Sequence, residues 1–163
     1  MTITKLKPHL ITAEGLERLQ LELEELQTTG REKVADRLHG AFEDGQDDDF
    51  VDNAELEAAR NAQAFLEGRI KEIEDIFKNY QVIKDSNGEV DFVRVGSKVT
   101  VSEEGYDEDE KYHLVGAAEA DPASGRISNE SPLGKALLGS KIGETVRVNA
   151  PNGVIEFQVV KIE

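Results

Sequence analysis

The spacing of apolar residues predicts that the first part of the chain is one long helix. The residues that recur at intervals of three or four positions are Leu16, Leu19, Leu23, Leu26, Val34 and Leu38. Such spacing places apolar side chains along one face of a helix, and here it slips near Gly30. Thr12 is a suitable N-cap residue. The expected helix therefore runs from about residue 13 to about residue 44, roughly 48 Å at 1.5 Å per residue.

A second apolar stripe predicts another helix. Its members are Ala59, Leu66, Ile70, Ile73 and Phe77. A lone helix cannot bury one narrow stripe, so the two stripes are expected to face each other in an antiparallel hairpin. Two separate helices packed on a globular core are the alternative interpretation. A dimeric parallel coil is disfavoured, because Asp44-Gly45 and the neighbouring acids interrupt the pattern.

Beyond about residue 80 the pattern changes to that of short strands. Gly, Pro and β-branched residues become frequent, and the segments with strand patterns are 98–101, 111–115, 145–148 and 154–162. Asn152-Gly153 predicts a tight hairpin turn before the last strand. Ser131, Pro132 and Gly139 suit the N-cap, first turn and C-terminal end of a short helix. We therefore expect an α+β fold, with a helical hairpin in residues 1–79 and a small antiparallel sheet with one short helix in 80–163.

Composition and charge narrow the function classes. The 163 residues include 34 acids and 19 bases, a formal net charge of −15. This balance disfavours nonspecific DNA binding, which needs Lys and Arg to displace counterions from phosphate. The absence of cysteine excludes disulfide and thiolate chemistry. No apolar run approaches the roughly 20 residues of a membrane span, so we expect a cytoplasmic protein, monomeric by default, with no membrane partner.

Acidic residues concentrate where the two predicted helices should be connected. Between Leu38 and Ala59 there is no Lys or Arg, and the acids are Glu43, Asp44, Asp47, Asp48, Asp49, Asp52, Glu55 and Glu57. From charge alone, a solvated turn is the default interpretation. The functional alternative is metal binding, because carboxylates are hard oxygen ligands for Mg²⁺ or Ca²⁺. Asp49 and Asp52 would share one face if the second helix begins there.

A small basic face is the other candidate site on the first helix. Its members are Arg31, Lys33 and Arg37. A solvated helix face is the default interpretation, and contact with an RNA backbone is the alternative. The sequence contains no phosphate-binding loop, dinucleotide fingerprint, nucleophile elbow or zinc-protease motif.

Several motifs in the right order then indicate a family. They are ITAEGLERLQLELEEL at 11–26, DFVDNAELEAARNAQAFLEGRI at 49–70, EADPASGRISNESPLGKALLGSKIGETV at 119–146 and the ending PNGVIEFQVVKIE. Together they span nearly the whole chain, which resembles the Gre family of bacterial transcript-cleavage factors. The resemblance implies an N-terminal antiparallel coiled coil with an acidic tip at about 43–55, and a C-terminal FKBP-like domain.

The resemblance also implies a function. The FKBP-like domain would dock on bacterial RNA polymerase, through residues matching Ser131, Pro132, Leu133 and Lys135. The coiled coil would enter the secondary channel, where Asp49 and Asp52 would help to hold the second Mg²⁺ of the polymerase and its water beside the nascent RNA 3′ end. Phe50 and Asn53 match the tip motif D-L-x-E-N-A, with Asp47 and Asp48 as accessory acids. The polymerase would cleave backtracked RNA, and this chain alone would be neither an enzyme nor the holder of a tightly bound cofactor.

Two departures from the family pattern bear on the sign of the effect. Asp52 stands where the family usually has Glu, and Gln46, Asp47 and Asp48 resemble an insertion before Asp49. Cleavage-inactive relatives with aspartate-rich tips inhibit polymerase. A cleavage-stimulating elongation factor is the leading hypothesis. A Gre-fold inhibitor that holds metal or blocks the active site is the rival, and a structural or chaperone-like interaction module is the third class.

Overall fold

The computed structural model describes residues 7–44, 54–84 and 90–163. These residues pack into two compact units. The helical unit is Glu17–Lys78, and the sheet unit comprises the described residues up to Leu16 together with Asn79–Glu163. The predicted α+β fold is confirmed. Within the described residues, no helix combines the length and apolar character needed to cross a bilayer.

The long first helix is confirmed, with a local change of winding. It consists of α1 (Ala13–Glu25), a π-helical turn (Leu26–Gly30) and α2 (Arg31–Asp44). The turn coincides with the slip in apolar spacing, since a π-turn widens the helix by about one residue. Thr28 Oγ1 donates a hydrogen bond to the Glu24 carbonyl at 2.7 Å there. The helix is therefore continuous along the chain but not uniform.

The antiparallel hairpin is also confirmed. The second helix is α3 (Ala54–Lys78), and ion pairs that join it to α1 and α2 include Glu22–Arg69, Arg31–Glu67 and Arg37–Glu55. The partner on α3 moves toward the start of that helix as the residue number rises along α1 and α2, which makes the helices antiparallel. Ile76 is buried and Phe77 is half-buried, so Ile76 also belongs to the apolar face and is more deeply buried than the predicted Phe77. Both positions lie on the same helical face as Ile73, and spacing alone does not distinguish them.

Seven strands lie in the described part of the sheet unit. They are β1 (His9–Thr12), β2 (Tyr80–Ile83), β3 (Lys98–Glu103), β4 (Asp109–Val115), β5 (Arg126–Ser128), β6 (Thr145–Ala150) and β7 (Gly153–Ile162). Five of them form one sheet in the order β5-β4-β3-β7-β6. All pairs in it are antiparallel except β4 with β5, so the predicted antiparallel sheet is present with one parallel pair at its edge. The β4–β5 connection contains two 3₁₀ turns, which return the chain so that β5 runs in the direction of β4.

The predicted short helix of the sheet unit is present, and the predicted hairpin turn is present but displaced by one residue. Helix α4 (Pro132–Leu137) has Ser131 as its N-cap, whose Oγ accepts a hydrogen bond from the Gly134 amide at 3.0 Å. The β6–β7 register pairs Ala150 with Gly153, so the turn residues are Pro151-Asn152 and not Asn152-Gly153. Gly153 has a φ of +133° but begins the strand.

A second, two-stranded sheet was not predicted. β1 pairs in parallel with β2, and His9 lies opposite Tyr80. Each strand has only four residues, too few for a clear alternating pattern. This pairing places the residues immediately before α1 in the sheet unit. The core of that unit lies on one side of the larger sheet and is formed by Val93, Val99, Val101, Leu114, Ile127, Leu137, Val148, Phe157, Val159 and Ile162.

Candidate functional site

The predicted metal-holding acids lie outside the described residues. Those acids are Asp49 and Asp52, and the accessory residues Asp47, Asp48, Phe50 and Asn53 also lie outside. The structure describes the two helix ends that flank them: α2 ends at Asp44 and α3 begins at Ala54. Because the helices are antiparallel, the acidic segment connects their adjoining ends. Among the described residues there is no group of three or more His, Asp or Glu side chains arranged to hold a metal ion.

An ion pair joins the two helices next to this segment. Arg37 Nε on α2 donates a hydrogen bond to Glu55 Oε1 in the first turn of α3 at 2.7 Å. This hydrogen bond, with the attraction of the guanidinium charge, lowers the pKa of the Glu55 carboxyl. Both side chains are about half exposed, so water screens the pair. Glu55 is therefore tied to α2.

The predicted basic face is partly used within the hairpin. Arg31 donates two hydrogen bonds to Glu67, from Nε to Oε1 and from Nη2 to Oε2, each at 2.8 Å. These hydrogen bonds lower the pKa of Glu67 and raise that of Arg31. Arg37 pairs with Glu55 as described, and Lys33 is exposed. Contact of these three residues with RNA stays a prediction.

A further arginine was missed by sequence reasoning. Arg69 on α3 donates to both carboxylate oxygens of Glu22, at 2.6 and 3.0 Å, and also to Glu72 at 2.9 Å. The two hydrogen-bonded carboxylates raise the pKa of Arg69. Such a fork-to-fork pair restricts geometry as well as adding energy. Three Arg–Glu pairs thus fix the register of the hairpin that leads to the acidic segment.

The four predicted docking residues come together on α4. Pro132 and Lys135 are exposed, Leu133 is half-buried against the core of the sheet unit, and Ser131 forms the N-cap. Gly134 lies between them and is buried. A Cβ at Gly134 would overlap the Ser128 carbonyl oxygen, so only glycine allows this helix to pack so closely. The short helix therefore presents one apolar and one basic side chain on a fixed base.

A buried carboxylate near the start of α1 was also missed. Glu119 Oε2 accepts a hydrogen bond from the Thr12 amide at 2.8 Å, and Oε1 accepts one from Thr12 Oγ1 at 2.6 Å. Thr12 Oγ1 in turn accepts from the Gly15 amide at 3.0 Å, which confirms Thr12 as the N-cap. Glu119 is separated from Thr12 by 107 positions, so no local pattern could have connected them.

Comparison with known proteins gives matches along nearly the whole chain. Residues 9–82 match the family model "Transcription elongation factor, N-terminal", and residues 87–163 match "Transcription elongation factor, GreA/GreB, C-term". Over 156 residues the chain is 46% identical to transcription elongation factor GreA of Acetivibrio thermocellus, covering 96% of each protein. It is equally similar to GreA of Caldanaerobacter subterraneus, covering 96% of this chain and 98% of that one.

Solved structures add a more distant relative. The chain is 32% identical to GreA factor homolog 1 (Gfh1) of Thermus thermophilus, with a TM-score of 0.42, covering 96% of this chain and 99% of that one. The two family models together account for both units of the structure. The resemblance noted in the sequence is thereby confirmed, and the chain belongs to the GreA/GreB family of transcription elongation factors.

Proposed function

We propose that this chain binds bacterial RNA polymerase and stimulates the polymerase's own cleavage of backtracked RNA. In this proposal the chain acts as a monomer in the cytoplasm. The hairpin enters the secondary channel of the polymerase and α4 docks at its rim. Asp49 and Asp52 approach the nascent RNA 3′ end, and the chain by itself hydrolyses nothing.

The observation that carries the proposal is the pairing of a braced hairpin with the acids at its end. Arg–Glu pairs join α1 and α2 to α3, with hydrogen bonds of 2.6 to 3.0 Å. The segment between Asp44 and Ala54 contains four aspartates and no base. A braced hairpin lowers the entropic cost of presenting those carboxylates. A chaperone-like module would need no such concentration of charge.

The donor set of the acidic segment fits a Mg²⁺ ion shared with the polymerase. Carboxylate oxygens are the side-chain ligands that Mg²⁺ prefers, and Mg²⁺ is commonly bound through only one or two of them. Asp49 and Asp52 are the pair that matches the family motif. In a two-metal site the second ion activates water and stabilises the leaving oxygen. The role of this chain is to supply negative oxygens there.

The negative charge of the chain favours its association with the polymerase as well as the binding of Mg²⁺. The formal net charge is −15, and the region from residue 39 to 58 contributes eight acids without Lys or Arg. A negative rod is attracted to a channel lined with positive charge, which accelerates association. Because the attraction acts between solvated charges, salt should weaken it.

A cleavage assay tests the proposal. The protein is added to stalled, backtracked RNA polymerase with Mg²⁺, and the RNA 3′ end is followed. Shortened transcripts are expected. Unchanged transcripts with slowed nucleotide addition would instead identify an inhibitor, the outcome that Asp47 and Asp48 would explain. No effect on RNA cleavage or on nucleotide addition would indicate a structural interaction module.

A further inference from the structure

The start of α1 is held by a buried carboxylate from a distant part of the chain. Glu119 is 4% exposed and Thr12 is 2% exposed. The first amides of a helix lack partners within the helix and need acceptors from elsewhere. Here the Gly15 amide is satisfied by Thr12 Oγ1, and that hydroxyl donates to Glu119 Oε1. A negative carboxylate at a helix N-terminus is also favoured by the helix dipole.

Two glycines allow this contact to be so close. A Cβ at Gly15 would overlap the Glu119 carboxylate, and a Cβ at Gly116 would overlap the Leu10 carbonyl oxygen. Neither glycine has a positive φ, so the backbone conformation does not require glycine at these positions. Glycine is required at both positions because the absence of a side chain permits the close contact. The 3₁₀ turn Ala117–Glu119 therefore lies directly against the strand and first turn that lead into the hairpin.

The anchored turn belongs to a helix that continues into the hairpin. Thr12, Gly15, Gly116 and Glu119 are all in the sheet unit, whereas the residues of α1 from Glu17 onward are in the helical unit. One helix is thus fixed at its first turn by hydrogen bonds within the sheet unit and continues as part of the hairpin. Weakening the hydrogen bonds of that turn would destabilise the start of α1 without changing the ion pairs of the hairpin.

We propose that Glu119 is a positioning residue for transcript cleavage. By holding Thr12 and the first turn of α1, it stabilises the start of the helix that continues into the hairpin. This inference rests on the proposed function. It predicts that the anchor matters for the rate of cleavage by bound factor and not for the binding of factor to polymerase, because α4 is left intact.

Two pairs of variants test the anchor. Thr12→Val removes the hydroxyl and keeps the shape, whereas Thr12→Ser keeps the hydroxyl. Gly15→Ala forces the Glu119 carboxylate away, whereas Gly68→Ala adds the same methyl group to α3 where nothing lies within 4 Å. Both glycine changes raise helix propensity, so a difference between them reports the lost contact and not helix stability. Glu119→Gln is a milder change that keeps one acceptor oxygen for the Thr12 amide.

The readout is the maximal cleavage rate at saturating factor, measured together with the factor concentration that gives half-maximal cleavage. Thr12→Val and Gly15→Ala should lower the maximal rate about tenfold or more, because a displacement of roughly 1 Å can cost about a hundredfold in rate. Glu119→Gln should give a smaller loss. The half-maximal concentration should not change, and Thr12→Ser and Gly68→Ala should behave as the unaltered protein does.

Three results would overturn the inference. Equal maximal rates for all variants would show that the anchor has no part in cleavage. A raised half-maximal concentration with an unchanged maximal rate would assign Glu119 to binding. Failure of the unaltered protein to stimulate cleavage would contradict both the proposed function and this inference. That outcome differs from the other two because it is observed without any variant. Circular dichroism of each variant confirms that the helices are retained.

Discussion

Arg37 on α2 and Glu55 in the first turn of α3 are joined by a hydrogen bond of 2.7 Å between Nε and Oε1. They form an ion pair between the two helices close to the acidic segment. Glu55 is one of the eight acids clustered there, yet it is held by an arginine. The acids in this region are therefore not equivalent.

The pair should respond to pH in a predictable direction. The pKa of Glu55 is lowered in the folded protein, so its contribution to stability is present above the ordinary value of 4.5 and is lost as the pH falls through the lower folded value. Arg37→Ala should therefore slightly lower the Tm at neutral pH. The difference from the unaltered protein should vanish in acid. A difference that grows as the pH falls below 4.5 would contradict the assignment.

Arg69 should contribute more to the hairpin than a typical exposed arginine. It donates to both oxygens of Glu22, and each side chain is 36% exposed. Lysine has no planar fork, so Arg69→Lys should destabilise the protein by about 1 kcal/mol, the upper end for solvent-screened pairs. Urea unfolding measures the change. The control is Arg60→Lys at an exposed position of the same helix, which should be nearly neutral.

Tyr112 should ionise later than an ordinary tyrosine. Burial, and then the hydrogen bond that its hydroxyl donates to Glu110 at 2.7 Å, raise its pKa to about 12. Since the folded value exceeds the unfolded value of 10.0, stability should fall as the pH rises from about 10 to about 12. Titration of tyrosinate absorbance should show this late step, and Tyr112→Phe should remove it. A late step that persists in the variant would contradict this.

Gly134 should tolerate no side chain, in contrast with Gly68. A methyl group at Gly134 would overlap the Ser128 carbonyl oxygen, and the site is buried, so Gly134→Ala should cost about 1–3 kcal/mol. Gly68→Ala should stabilise the protein by about 0.5–1 kcal/mol, because glycine in a helix interior is unfavourable. Urea unfolding of the two variants gives the comparison. Equal stabilities would mean that α4 shifts to make room.

Features with a local cause could be predicted from the sequence. Thr12 as an N-cap and Ser131-Pro132 at the start of α4 depend on residues within one helical turn. The hairpin followed from the two apolar stripes, because each stripe needs a partner. The turn at Pro151-Asn152 was displaced by one residue, since the β6–β7 register is set by packing along both strands.

Features that join distant parts of the chain could not be predicted in this way. Glu119 and Thr12 are 107 positions apart, and Glu22 and Arg69 are 47 apart. The pairing of β1 with β2 depends on the fold that brings two four-residue segments together. In each case the tertiary structure supplies the partner, and the local sequence carries no periodic signal. The acids Asp49 and Asp52 were identified by family motif and remain a prediction.

The most direct measurement is cleavage of backtracked RNA by polymerase with the variant Asp49→Ala/Asp52→Ala, compared with Glu32→Gln/Asp36→Asn. The second variant removes two exposed charges from α2 and serves as the matched control. We expect the first variant to bind polymerase nearly as well as the unaltered protein but to abolish stimulated cleavage, while the control retains it. Cleavage at the unaltered rate by Asp49→Ala/Asp52→Ala would show that these carboxylates are not the ones that serve the polymerase.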